Sequence, residues 1–374
     1  MSDRRYICSE CGSVFSLNEP LWSCPKCRAH LNLSPGAGLH REDIDQTTRS
    51  LWRYRAAFCD TPTPLVTLGE GWTPLVSGRW DGAEIRWKLD FINPSGCFKD
   101  RGAAVMLNYL LAHGVKAIAE DSSGNGGAAM ATYAAAAGIS CRIYVREDTS
   151  RAKVTQIAAT GAEVIRIPGT RQAVADAAMQ DHSNRFYASH NCQALFLEGT
   201  KTAGYEIWEM LGHMSPDAIV VPVGGGSIFL GSYLAFSELR ACGEVDQVPR
   251  LFGVQSEACM PIARAYLDGK PRATEIASLP TIAEGIAVSR PIRSAEIIAA
   301  AHETHGAVIS VPEAKIRFAH GRLAKMGLYV EPTSAAAAAG LSQLLENRVL
   351  ASGARIVVIL TGSGLKASET IAKM

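Results

Sequence analysis

The sequence predicts an α/β protein with a mainly parallel sheet, and two observations carry that expectation. From about residue 83 onward, short β-branched runs alternate with Ala-rich helical stretches. The runs are apolar at successive residues, as strands buried on both faces are, and the helices between them are the crossovers that parallel pairing requires. No self-similarity at a period of about 20–50 residues is present, which excludes a repeat array.

Taken in order, the expected strands begin with "EIRWKLD" (84–90), "VKAIAED" (115–121), "SCRIYV" (140–145) and "EVIRI" (163–167). They continue with "AIVVPV" (218–223), "RLFGVQ" (250–255) and "RIVVILT" (355–361). The stretch "GAAVMLNYLLAHG" (102–114) is helical in its spacing and stops at Gly114. The Ala runs at 134–137 and 335–339 read as tight helix packing.

The whole chain narrows the function classes. At 374 residues it is long enough for two or three domains with a large core. Lys+Arg 37 against Asp+Glu 36 leaves a net charge of +1, so no global field draws it to nucleic acid or membrane. The start, "MSDRRYICSECG", lacks the apolar core of a signal peptide. No apolar run approaches the roughly 20 residues of a membrane span. Of ten cysteines, four cluster near the start, while Cys59, Cys97, Cys141, Cys192, Cys242 and Cys259 are scattered. That usage fits a reduced compartment, and a cytoplasmic location is expected.

Residues 6–33 form a first module. Cys8/Cys11 and Cys24/Cys27 are two Cys-x-x-Cys pairs separated by twelve residues. Each pair makes a tight knuckle aiming two thiolates at one point, and two knuckles complete a tetrahedral S4 site. Structural Zn2+ is the expected occupant, with iron as the alternative for the same ligand type. So small a segment cannot bury a core of its own, so the metal would supply folding energy. "PGAG" at 35–38 punctuates its end.

Lys99 poses a separate question. In "NPSGCFKDR" (93–101) it follows a Pro/Gly turn and opens a helix, where the positive end of the helix dipole disfavours an ammonium. Such a lysine makes sense if its amine is neutralised covalently, for example as an imine. Three strand-to-helix turns also stand out: "SSGNGG" (122–127), Gly224-Gly225-Gly226-Ser227, and "TGSG" (361–364). Glycines at a helix start let backbone N–H groups converge on an anion. The G-x-G-x-x-G spacing is absent after the first strand, as is the Gly-Lys-Ser/Thr end of a P-loop, so the anion belongs to something other than a nucleotide.

"NPSGCFKDRG", "SSGN", "EGTKTAGYEI", "VPVGGGS", "IAEGIAV", "EPTSAAAAAG" and "LTGSGLK" occur in this order, and together they resemble the threonine synthases. These are pyridoxal-phosphate enzymes of fold type II, the tryptophan-synthase-β-like fold, and many carry an N-terminal zinc ribbon. The resemblance spans about residues 60–370 and implies pyridoxal 5'-phosphate held between two α/β domains. The implied division is a ribbon at 1–35, a small domain at 92–190, and a large domain combining 36–91 with 191–374. A homodimer acting on a small amino-acid substrate is expected, with no nucleic-acid or membrane partner.

By the same resemblance, Lys99 carries the cofactor and moves protons as base and acid. Asn125 bonds the cofactor's phenolic oxygen, and Gly224, Gly225, Gly226 and Ser227 cradle its phosphate. Phe98 flanks it, or serves as core packing. Thr361 faces the pyridine nitrogen; a neutral hydroxyl there makes a milder electron sink than an aspartate would, suited to elimination and replacement. Ser122, Ser123 and Gly124 are candidates for the substrate carboxylate. Asp100 and Arg101 are expected to stabilise the helix start, Cys97 to fill space, and His190 to be structural. Lys201 has no mechanism assigned.

Two positions depart from the family. Where threonine synthases commonly read Asn-Pro-x-Arg, with an arginine gripping the substrate phosphate, this chain has Gln193-Ala194-Leu195-Phe196, and a common Thr is Gly126. Arg146, Arg151, Lys153 and Arg171 are the other cations of the region. The expected activity is that of a lyase converting O-phosphohomoserine to threonine and phosphate. The alternatives are an ammonia-lyase for serine or threonine, a β-replacement synthase, and a non-catalytic binding protein on the same fold.

Overall fold

The structure, a computed structural model, describes residues 4–58, 64–149, 151–181 and 183–374. Cys59 and the side chains of Arg151 and Lys153 lie outside the described residues. The chain forms two compact units. One comprises residues 1–37, 44–70 and 99–200; the other comprises residues 38–43, 71–98 and 201–374.

The first unit holds a four-stranded parallel sheet in the order Glu163–Ile167, Ser140–Arg146, Ala117–Glu120, Phe186–Tyr187. Its helices include Lys99–Ala112, Asn125–Ala136, Arg151–Ala159 and Arg171–Met179. Each apolar run from 115 to 167 became a strand, as the pattern required. The Phe186–Tyr187 strand was not anticipated, because two residues carry no periodicity.

The cysteine-rich segment does not stand alone. Strands Arg5–Cys8, Val14–Ser16 and Leu31–Leu33 make a three-stranded antiparallel sheet. Tyr6, Cys8, Cys24 and Leu31 are buried in one apolar cluster with Ala103, Met106, Leu107 and Leu110 of the Lys99 helix. Tyr6 and Tyr109 share a hydroxyl bond at 3.2 Å, and Tyr109 also donates to the Leu17 carbonyl at 2.7 Å. A segment too small for its own core thus borrows one, which sequence composition cannot reveal.

In the second unit six strands run in the order Ala307–Val311, Arg250–Ser256, Ala218–Pro222, Ile356–Ile359, Ala83–Lys88, Leu75–Trp80. All neighbours are parallel except the last pair, which is an antiparallel edge. The helix Pro332–Glu346 buries its whole alanine run against this sheet. Small side chains allow that close approach; at Gly340 a Cβ would overlap Val254. Among the described residues no helix is long and apolar enough to cross a membrane.

Candidate active site

In the second unit, five of the quoted motifs meet. The Ala218–Pro222 strand ends in the glycine loop, which opens the helix Ser227–Ala241. Gly226 has φ of 82°, and a Cβ there would overlap Ile297. A Cβ on Gly224 would lie 3.0 Å from the Gly285 carbonyl oxygen. The left-handed backbone favours glycine at 226 and space is tight at 224, and the result is a row of backbone N–H groups at the positive end of a fifteen-residue helix. Gly226, at the cap position, has no side chain to offer that end.

The loop behind it is fixed in turn. Gly285 donates its N–H to Thr333 Oγ1 at 3.0 Å, tying "IAEGIAV" to "EPTS". The Ser334 hydroxyl accepts the N–H groups of Thr361 and Gly362, each at 2.9 Å, and shares a 3.0 Å bond with Thr361 Oγ1. Thr361 is therefore half of a buried, uncharged hydroxyl pair. Ser334 was missed at the level of sequence, although it stands inside a quoted motif; its partner was visible only after folding. The turn before Lys99 joins this group, since Phe98 donates its N–H to the Thr361 carbonyl at 2.9 Å and Ser363 donates to Gly96 at 2.9 Å. Phe98 is half-buried and Cys97 fully buried.

In the first unit, Lys99 and Asn125 each occupy the first position of a helix. Lys99 is half-buried, with Nζ 5.4 Å from the centroid of the Phe196 ring. Asp100 and Arg101, which follow it, are completely buried. Gly124 precedes Asn125 without a capping side chain. Ser122 and Ser123 are half-buried and Gly124 is exposed, so this turn offers polar groups to a ligand. A Cβ on Gly127 would overlap the Ser122 carbonyl, which holds the turn tightly against the helix.

Phe196 is fully buried, its ring lying over Gly102, where a Cβ would overlap it. Beside it lies a charged group that sequence reading did not assemble. His190 Nδ1 is 2.8 Å from Glu120 Oε1, and the His190 backbone N–H donates to Glu120 Oε2 at 3.0 Å. Burial pushes the Glu120 carboxyl well above its ordinary range, and the charge of Asp121 adds to this. Burial and then the Lys99 ammonium hold His190 well below its ordinary value. Asp121 pairs with Arg171 at 2.6 Å and accepts the Tyr187 hydroxyl at 2.9 Å. Arg146 is engaged by Asp148 at 2.8 Å.

The four Sγ atoms of Cys8, Cys11, Cys24 and Cys27 lie within 4.8 Å of one another. The Cys8–Cys27 and Cys11–Cys24 separations are 3.4 and 3.7 Å, near the roughly 3.8 Å edge of a tetrahedron with 2.3 Å zinc–sulfur bonds. Each knuckle closes on a left-handed residue, Gly12 and Arg28, both with φ of 67°. Arg4 is ion-paired with the buried Glu198, Gln193 Nε2 donates to the Leu21 carbonyl at 3.2 Å, and Trp22 meets Tyr187 edge-on at 5.0 Å.

Residues 66–362 match the family described as "Pyridoxal-phosphate dependent enzyme". The chain is 32% identical to a threonine synthase of Methanosarcina acetivorans, over 97% of this chain and 92% of that protein. It is 30% identical to a threonine synthase of Methanocaldococcus jannaschii, over 96% and 92% of the two chains. Among solved structures, the processed form of threonine deaminase isoform 2 from Solanum lycopersicum superposes with a TM-score of 0.70 at 20% identity. That match covers 91% of this chain and 95% of the other.

Proposed function

Since the chain belongs to the pyridoxal-phosphate-dependent enzymes and is a lyase of the threonine-synthase family, we propose that it converts O-phosphohomoserine and water to threonine and phosphate. What supports a pyridoxal-phosphate site most is the glycine cradle, left-handed at 226 and crowded by the Gly285 carbonyl at 224. The donor set suits the cofactor: an amine at Lys99, an amide at Asn125, an anion cradle at 224–227 and a neutral hydroxyl pair at Ser334 and Thr361.

When bound, pyridoxal phosphate supplies the electron sink that makes the substrate's Cα–H acidic. Lys99 would hold the cofactor through Nζ and move the protons at Cα and Cβ. The N–H groups of Gly224, Gly225, Gly226 and Ser227 would bind its phosphate, and Asn125 its phenolic oxygen, with Phe98 beside the ring. Thr361, backed by Ser334, would leave the pyridine nitrogen without a carboxylate partner. Ser122, Ser123 and Gly124 would take the substrate carboxylate. Phosphate leaves from Cγ and the elements of water add at Cβ, so atoms balance.

The same reading includes a structural Zn2+ on Cys8, Cys11, Cys24 and Cys27, and a cytoplasmic homodimer. It divides the chain into a ribbon at 1–35, a small domain at 92–190, and a large domain of 36–91 with 191–374. The buried Phe196 favours a second reading, an ammonia-lyase for a hydroxy amino acid, because a phenyl ring offers a phosphate nothing. Assays of O-phosphohomoserine, O-phosphoserine, threonine and serine for phosphate, 2-oxo acid and threonine separate the two. Threonine and phosphate from O-phosphohomoserine support the first; 2-oxobutyrate and ammonia from threonine alone overturn it.

A further inference from the structure

The cysteine-rich segment grips one stretch of the first unit at three places. Arg4 is ion-paired with Glu198, one guanidinium N–H donating to Oε1 at 3.0 Å, while its Nε donates to the Ser34 carbonyl at 3.0 Å. A single side chain therefore joins both ends of the segment to a carboxylate that is only 2% exposed. Gln193, also buried, donates to the Leu21 carbonyl at 3.2 Å, and Trp22 meets Tyr187 edge-on at 5.0 Å. All three anchors fall between residues 187 and 198. On the other side, Arg4 precedes the strand Arg5–Cys8, and Leu21 and Trp22 stand just ahead of Cys24. The gripping residues are thus placed by the two cysteine knuckles.

What the anchors hold is the start of the helix Ala194–Met210. Phe196 donates its N–H to the Gln193 carbonyl at 3.2 Å, and its ring lies 5.4 Å from Lys99 Nζ. Gly199, next to Glu198, packs on the Lys99 helix so closely that a Cβ there would overlap the Arg101 carbonyl. A buried carboxylate that loses its cation is an uncompensated charge, so slack at Arg4 is felt within the first turns of this helix.

We propose that the cysteine segment is a positioning strap. Arg4, Leu21 and Trp22 hold Glu198, Gln193 and Tyr187, and metal at the four thiols keeps the strap taut, so that Phe196 stays seated beside Lys99. Losing the metal takes away the folding energy of the segment and unseats the ring while the unit stays folded. The inference goes beyond the catalytic reading and rests on the Zn2+ reading above.

The test is 19F NMR of the full-length holoenzyme labelled with 4-fluorophenylalanine, the Phe196 resonance being assigned by its absence from Phe196→Leu. Removing Zn2+ with a chelator is expected to shift or broaden that resonance, while those of Phe229, Phe236 and Phe252, buried in the second unit, stay in place. A segment that only stabilised the fold would lower the unfolding temperature and leave the Phe196 resonance of the folded protein unmoved. Glu198→Gln with Zn2+ bound is expected to reproduce the change, and chelation then adds little, because both perturbations cut the same strap. The same variant should speed amide exchange across residues 194–198 about tenfold, as the loss of one hydrogen bond to a charged group predicts. Arg4→Lys, which keeps the positive charge, stays close to the wild type. Unchanged exchange, or additive effects of chelation and Glu198→Gln, overturns the proposal. Should Glu198→Gln fail to fold, Gln193→Leu gives the same reading: a moved Phe196 resonance that chelation no longer alters supports the strap, and an unmoved one counts against it. Zn2+ uptake by the wild type, measured by native mass spectrometry, with no response of Phe196 to its removal overturns this inference alone. A wild type that takes up no Zn2+ overturns the metal reading as well.

Discussion

A lysine at the first position of a helix is poorly placed as an ammonium, and this is what singles Lys99 out in the sequence. Lys99→Ala is expected to purify without absorbance near about 410–430 nm, and borohydride treatment of the wild type to fix the cofactor on the peptide containing residue 99. A persistent chromophore in the variant would remove Lys99 from its role. Gly226 is a second residue whose identity is fixed by geometry. Gly226→Ala must adopt φ of 82° and displace Ile297, so about 1–3 kcal/mol of stability should be lost, with weaker cofactor retention. Urea unfolding followed by tryptophan fluorescence measures it. Lys88 and Glu206 were not legible at all. Their charges meet at 2.6 Å with neither side chain exposed, and Lys88 Nζ also donates to the Thr73 carbonyl at 2.5 Å. Lys88→Met removes the ammonium from a buried carboxylate that also accepts the N–H groups of Trp72 and Thr73. The expected loss is about 3–5 kcal/mol in the same unfolding experiment.

Elements were legible where they are long, apolar or both. "AIVVPV" and "RIVVILT" are buried on both faces and announce themselves. "LVSGRW" does not, because Leu75–Trp80 is a half-exposed antiparallel edge with Gly78 within it. That glycine is needed: a Cβ there would lie 2.5 Å from Trp87 Nε1. "AVISV" at Ala307–Val311 is another edge, too mixed in burial to stand out. The cysteine segment was legible as a cluster of four thiols, whereas its docking was not, because Arg4, Leu21 and Trp22 find partners more than a hundred residues away. Removing the metal with a chelator should therefore raise amide exchange in residues 5–33 and also in residues 187–198, where Tyr187, Gln193 and Glu198 lose their contacts. Exchange measured by mass spectrometry that rises in the first segment alone would show the two to be uncoupled.

For the whole molecule, the motif order in the sequence was sufficient to indicate the fold and the cofactor. It could not show which side chains back the site. Ser334 behind Thr361 and Glu120 behind His190 depend on chain crossings that no local pattern encodes. Each compact unit carries residues proposed for the cofactor, Lys99 and Asn125 in the first and Gly224–Ser227 and Thr361 in the second, so each can be tested by itself. A ligand that binds only the folded forms of both must stabilise both by mass action. Stripping the cofactor with hydroxylamine should lower the unfolding temperature of every calorimetric transition, by about 2–3 kcal/mol of stability where free cofactor had stood at a hundredfold excess over its Kd. A transition left unmoved would mean that one unit contributes nothing to binding.

The close packing of Gly126 against His190 constrains what residue 126 can be while the imidazole stays in place. A Cβ at 126 would come within 2.7 Å of the ring, so a larger residue there requires the imidazole to move. Glu120 holds both Nδ1 and the backbone N–H of His190 and so resists that movement, and substitutions at 126 and 190 should be strongly non-additive. Gly126→Thr should lower the unfolding temperature, and a smaller residue at 190 in the same chain should recover part of the loss; additive losses would show that the two positions do not share space.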